Sequence, residues 1–329
     1  MPHRKRIAAP LGLAAACALA SSLLSAQQPH GVPRLSDGHP DLQGTWDFRS
    51  ATPLERPARF EGREFMTPKE VAEYEQLALQ REDGRPPDDA RPVEEQSVHP
   101  VWWLDYGKKV VKTARTSLIV DPPDGKMPPQ TAEARERLAA RRAAARTHGP
   151  ADSYENRSIF ERCLTRGLPD QLLPGPYNNN LQIVQTPQYV VLMTEMIHEA
   201  RIVPMDGRPH AAAAVRSWTG DPRGRWDGDT LVVDSTNFTD RTSFRGSGDH
   251  LHLVERFTRL DADTLEYRFT VEDPTTWTRP WTVAYPMTRT DAPVYEYACH
   301  EGNYGLRDIL SGARYEEQIA ADAEKKRKP

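Results

Sequence analysis

The sequence predicts an all-β protein, mainly an antiparallel meander that curls into a barrel or sandwich, with a few peripheral helices. Two near-copies of one phrase carry the prediction: Arg225-Trp226-Asp227-Gly228-Asp229-Thr230-Leu231 and Arg259-Leu260-Asp261-Ala262-Asp263-Thr264-Leu265. Each reads as strand, tight turn and return strand, because Asp-Gly and related pairs supply the positive φ of hairpin turns. Leu265, Tyr267, Phe269 and Val271 alternate with Glu266, Arg268, Thr270 and Glu272, the period-two pattern of a strand buried on one face. The chain has 329 residues, 29 of them proline. That composition fits a compact core with long irregular connections better than a helical bundle.

The first 26 residues read as a secretory signal peptide. A basic start, His3-Arg4-Lys5-Arg6, precedes an Ala- and Leu-rich run over 7–24, and small residues at Ala18, Ala20, Ser25 and Ala26 offer cleavage sites. The run approaches spanning length, so a membrane anchor is the alternative. Its weak, Ala-rich hydropathy favours cleavage, which leaves a periplasmic or secreted protein with no stable membrane span. Cys17 lacks the Leu three positions earlier that a lipoprotein signal carries, and no adjacent arginine pair marks a twin-arginine route. The formal net charge of −4 gives no nucleic-acid footprint.

Residues 27–150 form an N-terminal arm with the first strands and two helices. Residues 42–48 read as a first strand, and their Gly44-Thr45-Trp46 resembles the Gly-x-Trp that opens calycin and lipocalin-like barrels. Thr67-Pro68-Lys69-Glu70 is a helix start with a capping box, and the helix runs to about Gln80. Residues 81–92 read as a charged, proline-rich loop, and 101–103 and 108–120 as strand material. The turn 121–125 follows, since two prolines cannot continue a central strand. Residues 131–146 interleave Ala with Glu and Arg as a solvated helix.

Residues 151–312 form the antiparallel core, joined by the strands of 42–48 and 108–120. Strands are predicted at 181–185, 189–196, 199–205, in the two hairpins, at 281–287 and at 294–299. Residues 313–329 are a charged helical tail. With the leader removed, Cys163 and Cys299 remain. An oxidising compartment turns such a pair into a disulfide; two buried thiols, or a reactive Cys299 beside His300, are the alternatives.

Several phrases carry a resemblance. They are Tyr177-Asn178-Asn179-Asn180-Leu181-Gln182-Ile183-Val184-Gln185-Thr186-Pro187, the run 195–204 around Ile197-His198-Glu199-Ala200-Arg201, and the run 224–238 containing Asp227-Gly228-Asp229-Thr230-Leu231. Tyr297-Ala298-Cys299-His300-Glu301-Gly302-Asn303-Tyr304 completes them. Together they resemble a large family of exported bacterial proteins of uncharacterised function, common in Acidobacteria and Proteobacteria. The resemblance spans nearly all of the mature chain and implies export, with no established activity to carry over.

Four polar groups are candidates for chemistry. His250 and His252 lie two apart, so on a strand both imidazoles face one way toward a metal; Glu255 falls on the opposite face. His300, oriented by Glu301, has the makings of a general base at a barrel mouth, with Tyr297 and Asn303 beside it. His198, Glu199 and Arg201 form a third group, in which Glu199 and Arg201 share a strand face as a possible internal ion pair. Asn178, Asn179 and Asn180 offer carboxamides for a polar ligand, and Arg225 and Trp226 belong to an aromatic wall or to plain core. The expected function is binding of a small organic ligand in a polar-aromatic barrel cavity, with no cofactor. Three alternatives stand: a hydrolase or lyase using His300 and Glu301 with Glu199 and Arg201, a metal-dependent enzyme at His250 and His252, and a structural envelope protein.

Overall fold

Hairpin turns set the architecture, and strand follows strand through most of the second half of the chain. The structure is a computed structural model that describes residues 31–81, 87, 88, 104–241 and 244–327; the signal segment and the strand expected at 101–103 lie outside them. The strands are β1 (Gly44–Asp47), β2 (Ile119–Asp121), β3 (Asn180–Gln185), β4 (Tyr189–Thr194), β5 (Ala200–Pro204), β6 (Asp221–Asp227), β7 (Thr230–Thr236), β8 (His252–Arg259), β9 (Thr264–Glu272) and β10 (Trp281–Thr290). They form one antiparallel sheet in the order β5-β4-β3-β1-β10-β9-β8-β7-β6, with β2 beside β10. The predicted all-β meander is therefore present.

The sheet curls without closing. Its edge strands β5 and β6 meet side by side along a seam that no backbone ladder zips. At Gly224 on β6 the approach is close: a Cβ there would lie 2.3 Å from Met205 Sδ and 2.8 Å from Val203 Cγ1. Only glycine lets the two edges come this near.

Register stacks the inward residues in rows. Trp226 faces Leu231, then Phe257, Tyr267 and Tyr285 follow across successive strands; the next row runs Gly224, Val233, Glu255, Phe269 and Val283. Phe257 and Tyr267 ring centroids are 4.9 Å apart, and Tyr267 and Tyr285 are 5.6 Å apart, edge to face. Each such buried side chain contributes about 1.5–3 kcal/mol of burial free energy. The interior is thus packed core. The N–H groups of even-numbered residues on β10 point toward β2 and β1, as Ala284 N donating to Leu118 O shows. Pro286 falls between the stretches of β10 paired with β2 and with β1, where no donor is required.

The helices follow their caps. Helix α1 (Pro68–Gln80) carries the full capping box of Thr67 and Glu70. Helix α2 (Ala132–Ala145) is capped by Thr131, whose hydroxyl accepts from Ala134 N and donates to Thr275 O at 2.8 Å. Helix α3 (Tyr304–Arg327) starts earlier than the expected tail and buries none of its residues. No helix among the described residues is long and apolar enough to cross a membrane.

Two predicted strands are not strands. Within 108–120 only β2 forms, because upstream backbone groups are taken by side chains: Val110 N donates to Glu75 Oε1 on α1 and Val111 N to Thr52 Oγ1. Residues 294–299 are irregular. Both sides of β10 are already occupied, and Cys299 is tied to Cys163, the Cα atoms 5.7 Å apart and the sulfurs at bonding distance. The expected pair is therefore placed as a disulfide.

Candidate functional site

The seam between β5 and β6 opens at one end into a cleft of about 290 Å³. Its construction follows from the chain path. The arm at 33–40 crosses the seam and is pinned at both sides: Arg34 forms a bidentate pair with Asp229 in the β6–β7 turn, at 2.9 and 2.5 Å, and Gln185 Nε2 donates to Pro40 O at 3.2 Å. This strap carries His39 over β6, where the imidazole stacks on the Trp226 indole with centroids 4.5 Å apart and planes 6° from parallel. Val190 and Met205 supply the apolar wall, while Gln185, Thr186 and Arg225 supply the polar rim. Arg225 points outward and is exposed, as alternation on β6 requires. Trp226 and Arg225, expected in an aromatic wall, line this cleft.

The other sequence candidates divide by what already holds them. Arg201 on β5 is buried and forms a bidentate pair with Glu255 on β8, at 2.6 and 2.9 Å. Tyr267 donates to the same carboxylate at 2.8 Å. Burial works against the charged guanidinium, but Glu255 outweighs it and holds Arg201 above its ordinary range. The same burial, reinforced by the Glu255 charge, pushes the Tyr267 phenol up. The internal ion pair thus exists, with Glu255 rather than Glu199 as the partner. Glu199 accepts from Thr165 Oγ1 at 2.6 Å, and burial raises its pKa despite that bond and the Arg201 charge.

Asn179 staples the chain locally: Gly175 N donates to its Oδ1 at 2.7 Å, and its Nδ2 donates to Gly175 O at 3.1 Å. Asn180 donates to the buried Glu195 at 2.7 Å. Asn178 and His198 occupy left-handed backbone, at φ 53° and 57°. His198, His300 and Glu301 are exposed, and the last two lie in an irregular turn rather than at a strand end. Tyr297 is half-buried against Tyr177, with its phenol raised by burial first and by Tyr177 second. Asn303 Nδ2 reaches Glu161 O at 3.5 Å. The structure therefore spreads these groups among separate local networks.

The histidine pair separates too. His250 sits in the turn before β8, 63% exposed, with Asp249 Oδ1 3.9 Å from its Nε2. His252 opens β8 and places both ring nitrogens on carboxylates: Nε2 is 3.1 Å from Asp234 Oδ1 and Nδ1 is 2.9 Å from Glu272 Oε2. No cluster among the described residues is arranged to hold a metal ion. Glu255 does face away from His252, into the core, as alternation predicts.

Asp234, through its hydrogen bond, raises the His252 pKa from 6.5 to about 9. A raised imidazole stabilises the fold fully below its unfolded pKa and loses that contribution as pH climbs through the folded value. Stability is therefore expected to fall between about pH 6.5 and about 9, by about 1 kcal/mol once solvent screening of this partly exposed pair is allowed for. Urea denaturation across that range checks it, with His252→Gln expected to flatten the slope.

Neither a protein-family model nor a curated protein matches this sequence.

Proposed function

We propose that the protein is exported and binds a small, planar, partly polar organic ligand in the seam cleft. The observation that carries this reading is the parallel stack of His39 on Trp226 in a walled cleft of about 290 Å³, near the lower end of the ~300–1,000 Å³ typical of small-molecule sites. A planar ligand that takes the place of His39 on the indole gains a large apolar contact at little conformational cost. The rim of Gln185, Thr186 and Arg225 supplies the few polar groups that orient a ligand. Packed aromatics and the Arg201–Glu255 ion pair fill the interior of the curled sheet, which moves the binding reading from the interior to the seam. Export rests on the composition of residues 1–26 and on a cysteine pair that an oxidising compartment keeps bonded.

Untargeted mass spectrometry of small molecules that co-purify with wild type and with Trp226→Ala tests the reading. A compound carried by wild type and depleted at least about tenfold in the variant is the expected result, since a central aromatic anchor commonly contributes 2 kcal/mol or more. A carried compound retained equally by Trp226→Ala, or none carried at all, would count against it.

A further inference from the structure

Five side chains outside the cleft form an alternating row of charge over the outer face of four strands. In order they are Asp221 (β6), His210 (the β5–β6 loop), Asp234 (β7), His252 (β8) and Glu272 (β9). His210 Nδ1 is 3.1 Å from Asp221 Oδ2, and His210 Nε2 is 3.1 Å from Asp234 Oδ1. That same Asp234 oxygen meets His252 Nε2, and His252 Nδ1 meets Glu272. Arg223 on β6 completes the charged neighbours, donating to Asp221 Oδ1 at 2.6 Å and to Pro209 O at 2.9 Å. On the loop itself Asp206 and Arg208 pair with each other.

We propose that this array is a proton-operated latch on the loop that walls the seam cleft. An imidazole with a carboxylate at each nitrogen satisfies both only as the imidazolium, because the neutral ring donates once. With both histidines protonated, three carboxylates face two imidazoliums and the Arg223 guanidinium, and the charges balance. Loss of one proton leaves a carboxylate facing a bare ring nitrogen and a net negative cluster. The consequence falls on residues 205–211. Met205 and Gly207 belong to the cleft wall, and the next residues are fixed by the array: Arg223 holds Pro209 O, and Ala211 N donates to Asp221 Oδ2 at 2.8 Å. Acid closes the wall and alkali loosens it. The raised His252 titration agrees with this direction.

The effect on ligand retention rests on the cleft being the binding site; the latch itself does not. Hydrogen exchange of the full chain, normalised to the chemical exchange rate and followed by mass spectrometry from about pH 6 to about pH 10, reads the latch without any ligand. Peptides covering 206–216 are expected to lose protection at least about tenfold over that range, because hydrogen bonds to charged groups contribute about 1.5–3 kcal/mol, while β9 and β10 peptides lose no more than the roughly fivefold that a global loss of about 1 kcal/mol implies. His210→Gln should show the loosened loop at every pH, and Asp234→Asn should remove the pH dependence by an independent route. Loop protection that is constant with pH in wild type, or a wild-type profile in His210→Gln, overturns the proposal. A loosening loop with no co-purified compound would uphold the latch and remove the cleft reading; a bound compound with a pH-invariant loop would do the reverse.

Discussion

Glu255→Ala is expected to destabilise the protein by about 3–5 kcal/mol, because it strands the Arg201 guanidinium in the core. The Glu255 and Arg201 side chains are 0% and 2% exposed, so bulk solvent does not reach the stranded guanidinium. Tyr267 loses its acceptor in the same change. Arg201→Met together with Glu255→Leu removes both charges and keeps the volume; that double variant should recover most of the loss or exceed wild type. Guanidinium denaturation of wild type, Arg201→Met, Glu255→Leu and the double variant closes the double-mutant cycle. Equal losses in the single and the double variants would mean that the pair contributes by shape alone. The pair also joins edge strand β5 to β8 across the curl, so its loss should loosen the seam before the centre of the sheet.

Removing the cysteine pair is the second large effect. Cys163 lies before β3 and Cys299 after β10, with a sequence separation of 136. Loop entropy of that length corresponds to about 5 kcal/mol on the chain-entropy account. Cys163→Ala with Cys299→Ala should therefore lower the denaturation midpoint strongly, and a reductant should do the same to wild type. A midpoint unchanged by both treatments would show that the segment 291–303 is held by its other contacts, such as Tyr295 N donating to Glu195 Oε1.

Local chemistry was legible in the sequence where a few adjacent residues decide the outcome. The Thr67–Glu70 capping box, the Asp227-Gly228 turn and the alternation from Leu265 to Val271 each act within one element, and each is found where expected. The opposite facing of His252 and Glu255 follows from the same period. What adjacency does not encode is which element meets which once the sheet curls. Arg201 and Glu255 are 54 residues apart, so Glu199, two residues away, looked the nearer partner. Residues 108–118 have strand-like composition, yet the Val110 and Val111 N–H groups go to the side chains of Glu75 and Thr52. The seam cleft draws on an arm, a hairpin and an edge strand, and only Arg225 and Trp226 of its lining stood out beforehand. His210 lies in the loop between β5 and β6, where no strand period places its side chain. The available signal was that Asp221, Asp234, His252 and Glu272 all fall on solvent-facing positions of consecutive strands, the face on which a row of opposite charges forms.

The claim that a ligand is held at the seam, and not inside the curled sheet, is tested most directly by NMR mapping of the labelled protein with the co-purified compound or a library of planar fragments. Perturbations should centre on the Trp226 indole N–H, His39 and the Gln185 side chain, and leave Tyr267 and Phe269 unmoved. Perturbations centred on Tyr267, Tyr285 and the Arg201–Glu255 pair, with the Trp226 indole silent, would contradict it.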